Sequence, residues 1–452
     1  GPAASQSQRP VTRRHVICTH NGAIFPKFVI TACFNKMIGI LIAALAFRGG
    51  GTAGGGARHG SRVAMRVTPA GSNGAHLSVA QKAELAEIAR LVARPGKGLT
   101  ACDEGPLTVG ARFEKVGITN SEETRRAYRQ MLFETPGAEQ YLSGAILDPE
   151  TLYQKSSTSG DFFPQVLSDR GIVPGVKPHL KVYALPGCGG ETVMQGLDSL
   201  AARCAEYRKA GARFAKWRSP LEIRDGQISR LAIEANMHDL ARYALICQAE
   251  GLMPIVEPDI SLAGDYDLET AVRLNVEVQA ELYKAMIDHG VYMEGATLKP
   301  NMVNPGKACT TKYTCEQIGQ ANIDVLSRVF PCAMPGANFL SGGQSLENAA
   351  ARLSAINKAK GGCPWNLSFS WSQALQLPLM ELCKGTGELQ LEAMSELYLS
   401  ELKIAGAAAL GQYEPPLPGA GDHKPPAPRV TEVAPSPPPP PVAEKKPWWQ
   451  FA

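Results

Sequence analysis

The stretch Ala296-Thr297-Leu298-Lys299-Pro300-Asn301-Met302-Val303 sets a lysine directly after a short apolar run and directly before a proline. A proline cannot continue a helix across the site, and it biases the residue before it toward extended backbone. Lys299 therefore reads as the end of a strand. An ammonium group held there, half desolvated and close to other cations, is disfavoured relative to the free amine, and a free amine attacks carbonyl carbon. Taken alone, Lys299 reads more readily as an exposed loop lysine, since most lysines sit at the surface. The rest of the chain decides between the two.

Working outward, the same phrasing recurs: a short apolar run, a polar residue at its end, then helix-like text. The runs are Leu99 to Cys102 ending at Asp103, Gly144 to Leu147, Val173 to Val176 ending at Lys177, and Ala212 to Ala215 ending at Lys216. Four more follow: Pro254 to Val256 ending at Glu257, Thr297 and Leu298 ending at Lys299, Asn338 to Leu340 ending at Ser341, and Leu367 to Trp371. Helices are expected between them, with Asn120 capping Ser121 to Glu134, and others over Leu197 to Ala210 and Ile233 to Glu250. Upstream, Ser78 and Gln81 form a capping box for a helix with Leu85, Ile88 and Val92 on one face, ended by Pro95-Gly96-Lys97-Gly98. Eight strands with intervening helices predict an α/β protein of the (β/α)8 TIM-barrel type, with one catalytic domain over 71–413 and its site at the carboxyl ends of the strands. The rival open doubly wound sheet lacks a G-x-G-x-x-G after its first strand.

The strand ends carry the chemistry. They place Lys177, Lys216 and Lys299 around one mouth with Asp103 and Glu257. Like charges repel, so the best shielded lysine loses its proton most easily, and Lys216 is the neighbour expected to lower the pKa of Lys299. Glu257 can move protons as a carbinolamine forms and loses water, and Asp103 can take a proton from a substrate hydroxyl. Lys177, Arg218 and the Ser341-Gly342-Gly343 turn suit an anion such as phosphate. Each residue also has an ordinary reading: Asp103 as a helix cap, Lys216 and Arg218 as solvated charges, Glu257 as a strand-end acceptor. Their shared placement favours the joint one.

Composition narrows the classes. The net charge of +4 on 452 residues does not mark a nucleic-acid binder. The eleven cysteines include no C-x-x-C pair, which argues against a zinc ribbon or disulfide framework and for a reducing compartment. The eight histidines show no metal-ligand spacing. Carbonyl chemistry in this chain is therefore expected to rest on lysine, with no metal and no cofactor.

The two ends read differently from the middle. Met37 to Phe47 has a positive flank, a short apolar core and a small-residue site, the layout of a signal peptide, and Arg48 to Arg66 is rich in Gly, Arg, Ala and Ser with no acidic residue. In series they resemble the bipartite presequences of algae with secondary plastids. Residues 1–70 are then a presequence and the mature protein belongs in the chloroplast stroma without a membrane segment; a cytoplasmic protein with a disordered or membrane-touching arm is the alternative. Residues 414–452 form a proline-rich, extended tail ending in Trp448-Trp449-Gln450-Phe451-Ala452, an aromatic end that suits docking to a protein partner.

Four segments resemble the signatures of class I fructose-bisphosphate aldolases: Phe214-Ala215-Lys216-Trp217-Arg218, Ile255-Val256-Glu257-Pro258, Leu298 to Val303, and Phe339 to Ser345. The resemblance runs in order from about residue 75 to 413 and includes Glu150 to Lys155 and Ala355 to Lys358. It implies a TIM barrel, usually a homotetramer, that reversibly cleaves fructose 1,6-bisphosphate to two triose phosphates in glycolysis, gluconeogenesis or the Calvin cycle. By resemblance Lys299 is the Schiff-base lysine, Glu257 its proton shuttle, Asp103 the base at the hydroxyl and Lys216 the neighbouring cation. Lys177 and Arg218 then correspond to ligands of one phosphate, and Ser341 with Gly342 to those of the other.

The departures fall on phosphate binding. Gln373 stands where the family has an arginine, only Thr108 and Arg112 are retained in the segment after Asp103, and His179 replaces a frequent acidic residue. The family's terminal tyrosine has no counterpart at Phe451-Ala452. These leave open an aldolase shifted to another phosphosugar, or a scaffold on an aldolase barrel with residual activity.

Overall fold

The computed structural model of this chain describes residues 73–415. The expected presequence and the tail beyond residue 415, with its aromatic end, lie outside the described residues. Eight parallel strands close into a barrel: Gly98–Cys102, Leu142–Leu147, Val173–Val176, Phe214–Leu221, Met253–Ile260, Thr297–Leu298, Gly336–Phe339 and Asn366–Trp371. They are neighbours in chain order, and the last pairs with the first through Leu99 with Ser370 and Thr100 with Trp371. The TIM-barrel expectation holds.

Alternation of side chains along the strands sorts core from site. Trp217 points outward and is fully buried against Tyr243 of the helix Arg230–Ala249, ring centroids 5.3 Å apart. Lys216 and Arg218, one residue to either side, line the barrel's cavity. Inside the barrel, Leu99, Ala101, Ile146, Phe214, Met253 and Ile255 cluster with Leu85, Ile88, Ala89 and Val92 of the helix Val79–Val92. That helix carries the expected capping box of Ser78 with Gln81. Apolar filling at this level leaves the opposite end of the barrel for polar groups.

Gly175 shows how tightly the interior is packed. A Cβ there would stand 2.1 Å from the Phe214 ring, so the aromatic side chain fills the space a larger residue would need.

Three expectations need correction. Lys216 and Glu257 do not end their strands: the fourth and fifth pair continuously from Phe214 with Met253 to Leu221 with Ile260. The runs look short in sequence because inward residues turn polar once they reach the mouth. Ser121, not Asn120, caps the helix Glu122–Glu134, its hydroxyl accepting from the Thr124 N–H. Asn120 instead donates to the Pro106 carbonyl and accepts from Arg125. The other two helices span Leu200–Lys209 and Arg230–Ala249, the second starting three residues early because Ser229 caps it. A hairpin of Val182–Ala184 with Thr192–Met194 is outside the eight-run pattern. None of the helices among the described residues is long and apolar enough to cross a membrane.

Candidate active site

A cavity of about 710 Å³ opens at the carboxyl end of the barrel, and every residue singled out from the sequence lines it. These are Asp103, Arg112, Lys177, Lys216, Arg218, Glu257, Lys299, Ser341, Gly342 and Gln373, drawn from seven of the eight strands and the loops that follow them. The barrel brings them together across almost three hundred residues of chain.

Lys299 is fixed by its backbone. Its N–H donates to the Val256 carbonyl at 2.9 Å, while the next residue, Pro300, accepts from the Leu340 N–H at 2.9 Å. The two-residue sixth strand is thus clamped on both sides where the lysine emerges. Lys299 is 3% exposed, Glu257 3%, Lys216 4% and Asp103 8%. Four ionisable groups at such depth persist only as a mutually compensating set.

The set is a chain of alternating charge. Lys216 Nζ donates to Asp103 Oδ2 at 2.7 Å and stands 3.0 Å from Glu257 Oε2, the latter an ion-pair approach rather than an aligned hydrogen bond. Glu257 Oε1 lies 3.5 Å from Lys299 Nζ. Burial works against the Lys216 ammonium, but Asp103 and Glu257 outweigh it and raise its pKa. Burial also works to raise Asp103, yet Lys216, with Lys299 and Lys177 behind it, holds that carboxyl well below the usual range. For Lys299 burial dominates and lowers its pKa; Glu257 opposes the shift and the charge of Lys216 adds to it. One lysine is held charged while its neighbour is pushed toward the free amine. That is what an amine nucleophile requires.

The phosphate-type residues are less free than the sequence suggests. Lys177 Nζ pairs with Asp148 at 2.8 Å, Arg218 Nε with Asp259 at 2.6 Å, and Arg112 with Glu104 at 2.7 Å. Arg112 also donates to Ser372 at 3.3 Å. An incoming anion must share or displace these carboxylates. Asp148, Asp259 and Glu104 went unread in the sequence, although Asp148 directly follows the Gly144 to Leu147 run and Asp259 lies two residues beyond Glu257, on the same face. Thr108 lines the cavity as well.

His179 packs edge-on against Trp217 at 5.9 Å, with both ring nitrogens buried and without a hydrogen-bond partner among the described residues. Burial and then the nearby Lys216 and Lys177 push its pKa well down, so the ring is neutral. The Ser341-Gly342-Gly343 turn has positive φ at both glycines, 59° and 74°. Gln373 opens the helix Gln373–Glu381 beside it. No group of three or more His, Cys, Asp or Glu among the described residues could hold a metal ion.

Comparison with known proteins gives concordant matches. The family model described as fructose-bisphosphate aldolase class-I matches residues 84–425. The chain is 47% identical over 350 residues to the fructose-bisphosphate aldolase of Echinococcus multilocularis, covering 77% of this chain and 96% of that one. It is 45% identical to the cytosolic fructose-bisphosphate aldolase 4 of Arabidopsis thaliana, covering 75% and 85%. Among solved structures, the fructose-bisphosphate aldolase of Plasmodium falciparum, in complex with TRAP and a small-molecule inhibitor, superposes with a TM-score of 0.72 at 40% identity, covering 75% of this chain and 97% of that one.

Proposed function

From the premise that this chain belongs to the class-I fructose-bisphosphate aldolase family, we propose how its own residues carry out the reaction: a metal-independent lyase, it cleaves fructose 1,6-bisphosphate reversibly into dihydroxyacetone phosphate and glyceraldehyde 3-phosphate. The observation that carries the assignment is the pairing of a buried Lys299 of lowered pKa with a charged Lys216 across Glu257.

Lys299 Nζ, as the free amine, attacks C2 of the open-chain ketose. Glu257, in contact with both lysines, passes a proton to the departing hydroxyl as the carbinolamine becomes an iminium ion. Asp103, held ionised by Lys216, takes the C4 hydroxyl proton. The C3–C4 bond then breaks, its electrons moving into the iminium to give an enamine, and the aldehyde triose leaves. Protonation at C3 and hydrolysis of the imine release the second triose and regenerate the amine.

The barrel's order supports one placement of the two phosphates. The seventh strand, which leads into Ser341, is the neighbour of the sixth, which carries Lys299, whereas the third, with Lys177, lies three places round. The phosphate next to the carbonyl carbon therefore sits on the Ser341 turn. The far phosphate sits toward Lys177, Arg218 and Arg112.

The homotetramer follows from the family resemblance. A plastid location and Calvin-cycle role are supported by the composition of residues 37–66 alone, and a protein partner for the tail by its aromatic end. A fluorescent fusion of residues 37–70 that stayed in the cytosol would remove the plastid assignment.

Borohydride reduction of the protein with dihydroxyacetone phosphate, followed by peptide mass mapping, tests the chemistry. The adduct is expected on Lys299, with cleavage of the bisphosphate unaffected by EDTA. An unlabelled Lys299, or activity lost to the chelator, refutes the assignment.

A further inference from the structure

The inference rests on the aldolase reading above and concerns which side chain supplies the positive charge at the phosphate next to the carbonyl. The Ser341-Gly342-Gly343 turn offers anion-binding donors: a buried hydroxyl and three successive N–H groups from which no backbone carbonyl among the described residues accepts. The two left-handed glycines turn those N–H groups, and such concavities bind phosphate oxygens. A phosphate at pH 7 carries a charge of about −1.5 to −2, and the side chain that faces the turn from the start of the helix after the last strand is Gln373, which is neutral.

One cation remains. Lys307 lines the same cavity, and its Nζ lies 3.3 Å from the point a Cβ on Gly343 would occupy, the same distance as Gln373 Oε1. The two side chains therefore flank the turn together. Lys177, Lys216, Arg218, Lys299 and Arg112 each stand against a carboxylate, whereas Lys307 makes no ion pair among the described residues. Its charge is free for a ligand.

Its backbone is not free. The Lys307 N–H donates to the Leu262 carbonyl at 2.9 Å, and the N–H groups on either side of it donate to the Tyr266 and Gly264 carbonyls. Gly306 makes that approach possible, since a Cβ there would lie 2.3 Å from the Gly264 oxygen. The loop after the sixth strand is thereby stitched to the loop after the fifth, with Lys307 directed over the glycine turn.

We infer that Lys307 is the cationic ligand of the substrate phosphate held by the Ser341-Gly342-Gly343 turn, acting beside a Gln373 that contributes only a neutral contact. Lys307 is a specificity-determining residue in this role: it favours ketoses phosphorylated next to the carbonyl over the unphosphorylated ketone.

Borohydride trapping on the full chain, at rising dihydroxyacetone phosphate, reads the half-saturating concentration. Lys307→Gln is expected to raise it by about tenfold to a hundredfold with the same plateau on Lys299. Lys307→Arg should retain saturation near that of the parent, and adding Gln373→Arg to Lys307→Gln should restore it. Trapping of dihydroxyacetone, which lacks the phosphate, should not distinguish parent from Lys307→Gln. A half-saturating concentration within about twofold of the parent for Lys307→Gln overturns the inference. So does an equal loss with dihydroxyacetone, or a loss that neither arginine variant restores, since both mark a structural effect. No adduct on Lys299 of the parent chain would instead overturn the aldolase reading itself.

Discussion

Lys216→Met removes the cation between Asp103 and Glu257 while keeping an unbranched side chain of similar length. The two ammonium groups contact the two oxygens of one carboxylate, at 3.0 and 3.5 Å. Such groups stand roughly 6 Å apart, where two unit charges at an effective dielectric of about 20 interact by about 3 kcal/mol. Removing that repulsion raises the Lys299 pKa. The variant also leaves Asp103 and Glu257 without their shared cation, which raises Lys299 in the same direction. Burial still lowers its pKa, so the expected shift is upward but stops short of an exposed lysine. The initial rate of borohydride trapping with saturating dihydroxyacetone phosphate, measured from pH 6 to 10, reports this directly; the free amine is the attacking form, so the rising limb should move to higher pH. Losing one partner of a buried ion pair also costs about 3–5 kcal/mol of stability, so the profile is recorded only where circular dichroism shows the fold intact. A folded Lys216→Met protein whose limb does not move would refute the argument that Lys216 tunes Lys299.

Two further outcomes concern stability. Glu401, buried on the helix Leu391–Ala409 with one carboxylate oxygen unpartnered, is pushed up to about 9 by burial and then by Glu347. A folded-state pKa above the unfolded value near 4.5 costs nothing below that pH and progressively more as pH rises toward 9, so Glu401→Gln should gain about 1–2 kcal/mol at pH 7 and little at pH 4. Urea unfolding at several pH values checks it, and a gain independent of pH contradicts it. Gly175→Ala, whose methyl would meet the Phe214 ring, should lose about 3 kcal/mol, with Phe214→Leu in the same chain recovering part of the loss; an unchanged urea midpoint counts against the packing argument.

The barrel was legible because its strands are read through one repeated event, an apolar run that turns polar where it meets solvent. That cue located all eight strands and gathered the site residues at one end. It misplaced the ends of the fourth and fifth strands for the same reason, since Lys216 and Glu257 are polar within strands whose pairing continues. Burial and ionisation were only half legible. The competition between Lys299 and Lys216 followed from like charges in one place, but the carboxylates neutralising Lys177, Arg218 and Arg112 depend on side-chain packing. Lys307 was out of reach altogether. It lies nine residues past the strand end, in a loop that approaches the Ser341 turn only because Gly306 and Gly264 pass so closely.

The seam between the last strand and the first bears on how a growing chain reaches this state. Ser368 donates to the Lys97 carbonyl across 271 residues of sequence, and Gln376 donates to Ala101 nearby. Closing a loop of that length costs on the order of 5 kcal/mol in chain entropy. Until Asn366–Trp371 leaves the ribosome, seven strands can assemble only as an open parallel sheet with two bare edges. Synthesis therefore leaves a sticky half-ring for most of its course, and the final strand acts as the zip that retires both edges at once. A message truncated upstream of Asn366 would yield a protein with most of the catalytic side chains present and a permanent tendency to aggregate.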